Sequence, residues 1–168
     1  QVEWSHGKIC SIKGLKDASK VPNEILLPRF SEPHAHLDKA FSWSRAPNYK
    51  GSYQEALVAN LNDYKSRSQG QLLFSVEKSL NLALVNGIRA IRSHIDSFGE
   101  NVMRDWDLLE DVRKKWRDKI FLQFVALVPL EFWQTYEGEL LAQRVALNGD
   151  LLGGVIAPPF NKKKTFKS

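Results

Sequence analysis

The stretch LLPRFSEPHAHLDKAF, Leu26 to Phe41, decides how the rest of the chain is read. Ile25, Leu26 and Leu27 form a short apolar run that leads through Pro28 and Phe30 to His34, Ala35 and His36. Successive side chains of a strand point to opposite faces, so two histidines separated by one residue project from the same face. Two neighbouring imidazoles at a strand end suit a borderline transition metal. A plainer reading stands beside it, two polar residues in the loop after a strand, because a bare His-x-His recurs by chance.

Outward from this stretch the chain alternates. Before it, Val2 to Ile12 reads as a hairpin turning at Ser5-His6-Gly7, with His6 exposed in the turn and Cys10 a structural residue of the hairpin. Gly14 to Asn23 is a polar connector to a strand over 25–30. After it, Ser42 to Gly51 has loop composition, and Ser52 with Glu55 forms a capping-box pattern. A helix follows with Tyr53, Leu57, Leu61 and Tyr64 at helical spacing, broken over Ser66 to Gly70. A second helix runs from about Leu72 to Val85 and stops at Asn86-Gly87.

Ile88 to Asp96 is the next strand, with Ile88, Ala90, Arg92, His94 and Asp96 on one face and Arg89, Ile91, Ser93 and Ile95 on the other. Asn101 to Asp118 is helical, and Ile120 to Val128 is nearly all apolar, the pattern of a strand covered on both faces. Gly138 to Leu147 forms a helix stopped at Asn148-Gly149, and Leu151 to Ile156 a short strand ended by Pro158-Pro159. Strands alternating with helices argue an α/β protein with a parallel sheet, either a barrel or an open sheet. No phosphate-binding glycine loop is present.

Composition narrows the function classes. Hydrophobic residues make up 43% of the 168 and charged residues 26%, the balance of a globular domain. One cysteine excludes an internal disulfide, and with no secretory signal pattern the chain is expected in the cytoplasm. No apolar run reaches the roughly 20 residues that span a bilayer, so no membrane partner is expected. The net charge of +5 sits partly in Lys162, Lys163, Lys164 and Lys167, and the remaining charges are mixed in sign. That reads as a solvated surface and not as a nucleic-acid site.

Three segments, LLPRFSEPHAHLDKAF, NGIRAIRSHIDS (Asn86 to Ser97) and DLLGGVIAPPF (Asp150 to Phe160), resemble the first, second and fourth barrel strands of the amidohydrolase superfamily, most closely its cytosine deaminase-like branch. The resemblance implies a (β/α)₈ TIM barrel with its active site at the C-terminal strand ends. Only the first four strand-helix units are expected here, preceded by a small β hairpin that belongs to a sandwich. It implies three regions: 1–24 as part of that composite sandwich, 25–160 as the N-terminal half of the barrel, and 161–168 as a basic tail marking a truncation. Among family metal ligands, His34 and His36 match the paired histidines of the first strand, and zinc or iron is the implied cofactor. The implied reaction is hydrolysis of a non-peptide C–N bond in a cyclic amide or amidine, a small-molecule substrate.

The family takes its remaining ligands and its proton-transferring groups from strands five, six and eight. The glutamine that reads a pyrimidine after strand three has no counterpart in Val128-Pro129-Leu130-Glu131. No catalytic residue is therefore assigned, and the chain alone is expected to be inactive. It is also expected to self-associate or to pair with a missing C-terminal half. The alternative is a non-catalytic remnant or interaction module.

Three further residues are candidates around the histidines. Asp38 either orients a ligand or substrate, or bonds nearby backbone amides as turn aspartates do. His94 and Asp96 share a strand face with Arg92 toward the mouth, as second-shell groups or as strand-end residues bonding their neighbours. Lys39 carries a weaker signal. Trp43, Trp106, Trp116 and Trp133 read as packing residues.

Overall fold

The computed structural model describes residues 1–14 and 24–156. Residues 15–23 of the expected connector, the Pro158-Pro159 stop and the basic tail lie outside the described residues. The chain opens with a hairpin of β1 (Val2–Ser5) and β2 (Lys8–Ile12). His6 and Gly7 both have positive φ, 49° and 75°, which a tight two-residue hairpin turn requires. Cys10 is exposed on this hairpin.

The body is a parallel four-stranded sheet in the order β3 (Phe30–Ala35), β4 (Ile88–Asp96), β5 (Phe121–Pro129) and β6 (Leu151–Val155). Each strand follows its predecessor in space as well as in sequence, and the sheet curls into half of an eight-stranded barrel. Helices α1 (Tyr53–Ser66) and α2 (Gln69–Val85) connect β3 to β4; α3 (Val102–Trp116) connects β4 to β5. A 3₁₀ turn (Leu130–Gln134) and α4 (Tyr136–Leu147) lead to β6.

Local sequence explains the helix ends. The Ser52 side chain accepts the N–H of Glu55 at 3.2 Å and opens α1. Ser68 and Gln71 form a reciprocal capping box that opens α2. The break expected over Ser66 to Gly70 is therefore only Arg67 and Ser68, and Gly70 lies inside the helix. A satisfied cap outweighs the roughly 1 kcal/mol that glycine costs a helix.

The core lies between the sheet and its helices. Ile91 and Ile95 of β4, with Leu122, Phe124, Ala126 and Val128 of β5, meet Val76 and Leu80 of α2 and Trp106, Leu109, Val112 and Trp116 of α3. The expected alternation of β4 holds along Ile91, Ser93 and Ile95, which are buried while Arg92 is exposed.

Two expectations are corrected. The first strand was expected over 25–30, but pairing begins at Phe30 opposite Ile88, and β3 runs on through His34. Ile25, Leu26 and Leu27 are apolar yet exposed and outside any strand, so apolarity alone misplaced the strand by about one length. The strand expected to be covered on both faces is only partly so. Phe121 is 66% exposed, and Gln123 and Leu127 are half-buried. Their face looks to the barrel axis, where no strand stands opposite among the described residues.

Candidate functional site

Parallel pairing of β3 with β4 ends at Ala35 opposite Ser93. It therefore delivers His34, His36 and His94 to the same C-terminal rim of the sheet. The His34 ring stacks on His94 with centroids 3.9 Å apart and stands edge-on to His36 at 5.2 Å. His36 and His94 are 5.6 Å apart. His36 Nδ1–H donates to the backbone carbonyl of His94 at 3.1 Å, which fixes the tautomer and leaves Nε2 with a free lone pair.

Electrostatics favour the ligand form. Burial, followed by the positive charge of Lys39, pushes the His36 imidazole down to about 4, against the opposing pull of Asp96. Burial and then His34 also lower His94. Neutral imidazole is the form that binds metals. His94 Nδ1 is buried without a hydrogen-bond partner. These groups fit a two-imidazole grip on a borderline metal. They do not complete a cage: among the described residues no group of three or more His, Cys, Asp or Glu is arranged to hold an ion.

Beneath the rings lies a charged lattice. Lys39 Nζ donates to both oxygens of Asp96, each at 3.0 Å, and Asn60 Nδ2 donates to Asp96 Oδ2 at 2.9 Å. The Asp96 N–H in turn donates to Asp38 Oδ2 at 3.2 Å. Arg67 reaches over from the end of α1, donating to the Asp38 carbonyl at 2.7 Å and standing 3.6 Å from its carboxylate. Arg67 also lies 3.9 Å from Asp63, which Arg45 clamps with two hydrogen bonds at 2.8 and 3.3 Å.

Asp38 is fully buried, and its Oδ1 has no partner. Burial, with the Asp96 charge second, pushes its carboxyl up to about 6, although Arg67 and Lys39 pull the other way. The Leu37 N–H donates to Ser93 Oγ at 3.0 Å, tying the segment after His36 to β4.

Of the residues singled out in the sequence, His34, His36 and His94 thus meet at the rim. Asp96 lies just below, tied to Lys39, and Asp38 points into the core. Lys39 matters more to this geometry than its signal in the sequence, and Asn60 and Arg67 were missed. Asn60 sits among the polar residues of α1 and Arg67 caps its C-terminus, 36 and 29 positions from their partners, with no local pattern to mark them. Trp106 and Trp116 pack in the core and Trp133 at its edge, whereas Trp43 is 60% exposed beside a pocket of about 340 Å³ that Asn60 also lines.

Both the sequence and the fold of the chain are similar to those of known proteins. The chain is 35% identical over 156 residues, 86% of its length, to the pterin deaminase of Rhizobium rhizogenes (strain K84). It is 23% identical over 147 residues, 84% of its length, to the N-isopropylammelide isopropyl amidohydrolase of Pseudomonas sp. (strain ADP). The chain spans only about 36% of the length of each. Among solved structures, the 5-methylcytosine deaminase of Klebsiella pneumoniae liganded with 5-fluorocytosine superposes with a TM-score of 0.67. That match has 22% identity and covers 91% of this chain and 39% of that one. The N-isopropylammelide isopropylaminohydrolase of Burkholderia multivorans follows with a TM-score of 0.55 and 25% identity, covering 76% of this chain and 32% of that one. No family model matches the sequence.

Proposed function

We propose that this chain, which matches the N-terminal portion of an amidohydrolase-superfamily deaminase, supplies the metal-gripping half of a site that hydrolyses a C–N bond of a cyclic amide or amidine. The observation that carries the reading is the convergence of His34, His36 and His94 at one strand end, with the His36 tautomer held by a backbone carbonyl. In the reaction, water adds to the ring carbon that bears the amino group, a carbonyl forms, and ammonia or an amine leaves.

His34 and His36 would hold the metal, zinc or iron, through neutral imidazole nitrogens. When bound, such an ion lowers the pKa of a coordinated water toward about 7. The chain's own groups do the rest of the holding. The His94 carbonyl orients the His36 ring, and the Lys39–Asp96 pair anchors the segment that follows it. The Arg67–Asp38 contact fixes that segment from below. Substrate recognition and proton transfer would fall to strands other than the four described here.

Reconstitution tests the reading. The chain is mixed with the part of the pterin deaminase relative beyond its matched third, in zinc or ferrous iron, and ammonia release from pterin and cytosine is measured. Release that disappears in His34→Ala and in His36→Ala supports the assignment. Equal release from wild type and both variants refutes it.

A further inference from the structure

Four ionic side chains run inward from the loop after β3 to the rim, and the inner three are shut away from water. Arg45 of that loop clamps Asp63 of α1 with hydrogen bonds at 2.8 and 3.3 Å. Asp63 faces Arg67, which caps the end of α1, at 3.9 Å. Arg67 in turn donates to the main-chain carbonyl of Asp38 at 2.7 Å. The Asp63, Arg67 and Asp38 side chains are only 2%, 3% and 0% exposed.

Stability does not account for this chain of charges. Buried ions give up hydration that their mutual attraction commonly fails to return, and apolar residues of like volume hold a core at least as well. Nor is the network arranged for the tightest pairing. Asp63 and Arg67 stand beyond hydrogen-bond distance, and Asp38 Oδ1 has no partner. What the arrangement supplies is direction. A guanidinium carries its donors in a fixed planar fork, so a carboxylate on one side sets where the other side points. Here it points to the carbonyl two residues beyond His36.

The segment that Arg67 meets lies outside helix and strand. Three elements tie its main chain. Ser93 Oγ of β4 accepts the Leu37 N–H at 3.0 Å, Arg67 reaches the Asp38 carbonyl, and Ser75 Oγ of α2 donates to the Ala40 carbonyl at 2.8 Å. Phe41 follows with φ +60°, a conformation that a bulky residue keeps only where its surroundings impose it. Arg67 is the charged tie of the three, and through Asp63 it also meets the Arg45 loop.

We propose that Arg67, oriented by Asp63, is a positioning residue for His36. It pins the main chain two residues beyond the ring and so keeps Nδ1–H on the His94 carbonyl and Nε2 directed outward. Arg45, on the same carboxylate, ties the loop over 42–51 to this clamp. The benefit to metal binding rests on the reading in the preceding subsection; the hold on the ring does not.

Asp38→Asn serves as the reference for the test, because it keeps the main-chain carbonyl that Arg67 meets and leaves no buried ion behind. Adding Arg67→Met and Asp63→Leu replaces the buried pair by apolar groups of similar size, an exchange that folds commonly bear without loss. Urea unfolding and ring NMR are measured on the metal-free chains, and zinc affinity by competition with a chelator. The triple variant should unfold near the midpoint of the reference. Its His36 ring should lose the hydrogen-bonded Nδ1–H signal and pass from one tautomer to a mixture, and zinc should bind about tenfold or more weakly. A folded triple variant whose His36 ring signals match the reference overturns the proposal.

Arg67→Lys in the wild-type chain is the second variant. It keeps the charge, but one ammonium cannot serve both Asp63 and the Asp38 carbonyl, so the ring should loosen in the same direction. Wild-type ring signals in this folded variant also overturn the proposal, as does a failure of both variants to fold, which makes the network a support of the fold alone. Ring signals that change as expected in a protein that binds no zinc even as wild type uphold the positioning role and remove the metal reading instead.

Discussion

His36 Nδ1–H and the backbone carbonyl of His94 meet at 3.1 Å across 58 residues of sequence, where β3 hands the chain to the rim beside β4. The bond fixes the plane of the His36 ring and directs Nε2 outward, as a carbonyl behind a metal-binding histidine does. Because the acceptor is a main-chain atom of a paired strand, the position of the ring follows from the sheet register itself.

The His36 ring should titrate near pH 4 in the folded chain. The folded group is pushed down to about 4 and the unfolded group titrates at 6.5. Between those values the unfolded chain holds more protons, so this group's contribution to stability falls as pH drops from 6.5 toward 4. Ring-proton NMR of the metal-free chain measures it, and a midpoint near 6.5 would contradict the burial of this imidazole.

Asp38 works in the opposite direction over much of the same range. Its folded carboxyl is pushed up to about 6 from 3.8, so its contribution to stability is present below 3.8 and is lost as pH rises through 6. Asp38→Asn removes that loss and should steepen the rise of stability between pH 4 and 6. Urea melts at several pH values should show the variant faring better, relative to wild type, at pH 7 than at pH 4. The reverse order would show that Asp38 is ionised with net benefit in the fold.

Lys39→Met should cost roughly 2 to 5 kcal/mol by leaving the Asp96 carboxylate, 5% exposed, with Asn60 as its remaining side-chain donor. Adding Asp96→Asn should recover part of that loss, because no uncompensated charge then remains. A double-mutant cycle with no coupling between the two positions would make the pair a bystander.

Gly138→Ala should destabilise the chain, against the usual gain of alanine over glycine in a helix. A Cβ at this position would lie 2.1 Å from the Phe132 carbonyl oxygen and 2.9 Å from its carbon, both backbone atoms that cannot turn aside. The loss should be at least about 1 to 3 kcal/mol, in the range of overpacking. A melting midpoint equal to or above wild type would mean that the 3₁₀ turn and α4 yield more easily than their contact implies.

The parts of the fold legible in the sequence are those decided locally. Ile88–Asp96 declared its strand and its faces by alternation, and Ser52 with Glu55 marked the start of α1. Leu26 and Leu27 misled because burial depends on which neighbours arrive, and here they line an open pocket with Trp4 and Ile9 of the hairpin and stay exposed. Phe121 is exposed for a related reason, since among the described residues no strand stands across the barrel axis from it.

In the site, the His34–His36 pair was visible as a motif, whereas the burial of Asp38 was not. It depends on Arg67 folding back 29 residues from the far end of a helix. Lys39 stood in the motif itself, but only the pairing of β3 with β4 shows that Asp96 is its partner.

Zinc titrated into the metal-free chain, followed by the ring signals of His34, His36 and His94, tests the central claim most directly. Saturable binding that perturbs His34 and His36 is expected, weakened at least about tenfold in either single alanine variant and lost in the double. Equal zinc affinity in wild type and in the His34→Ala, His36→Ala double variant would show that the rim histidines are not the metal grip.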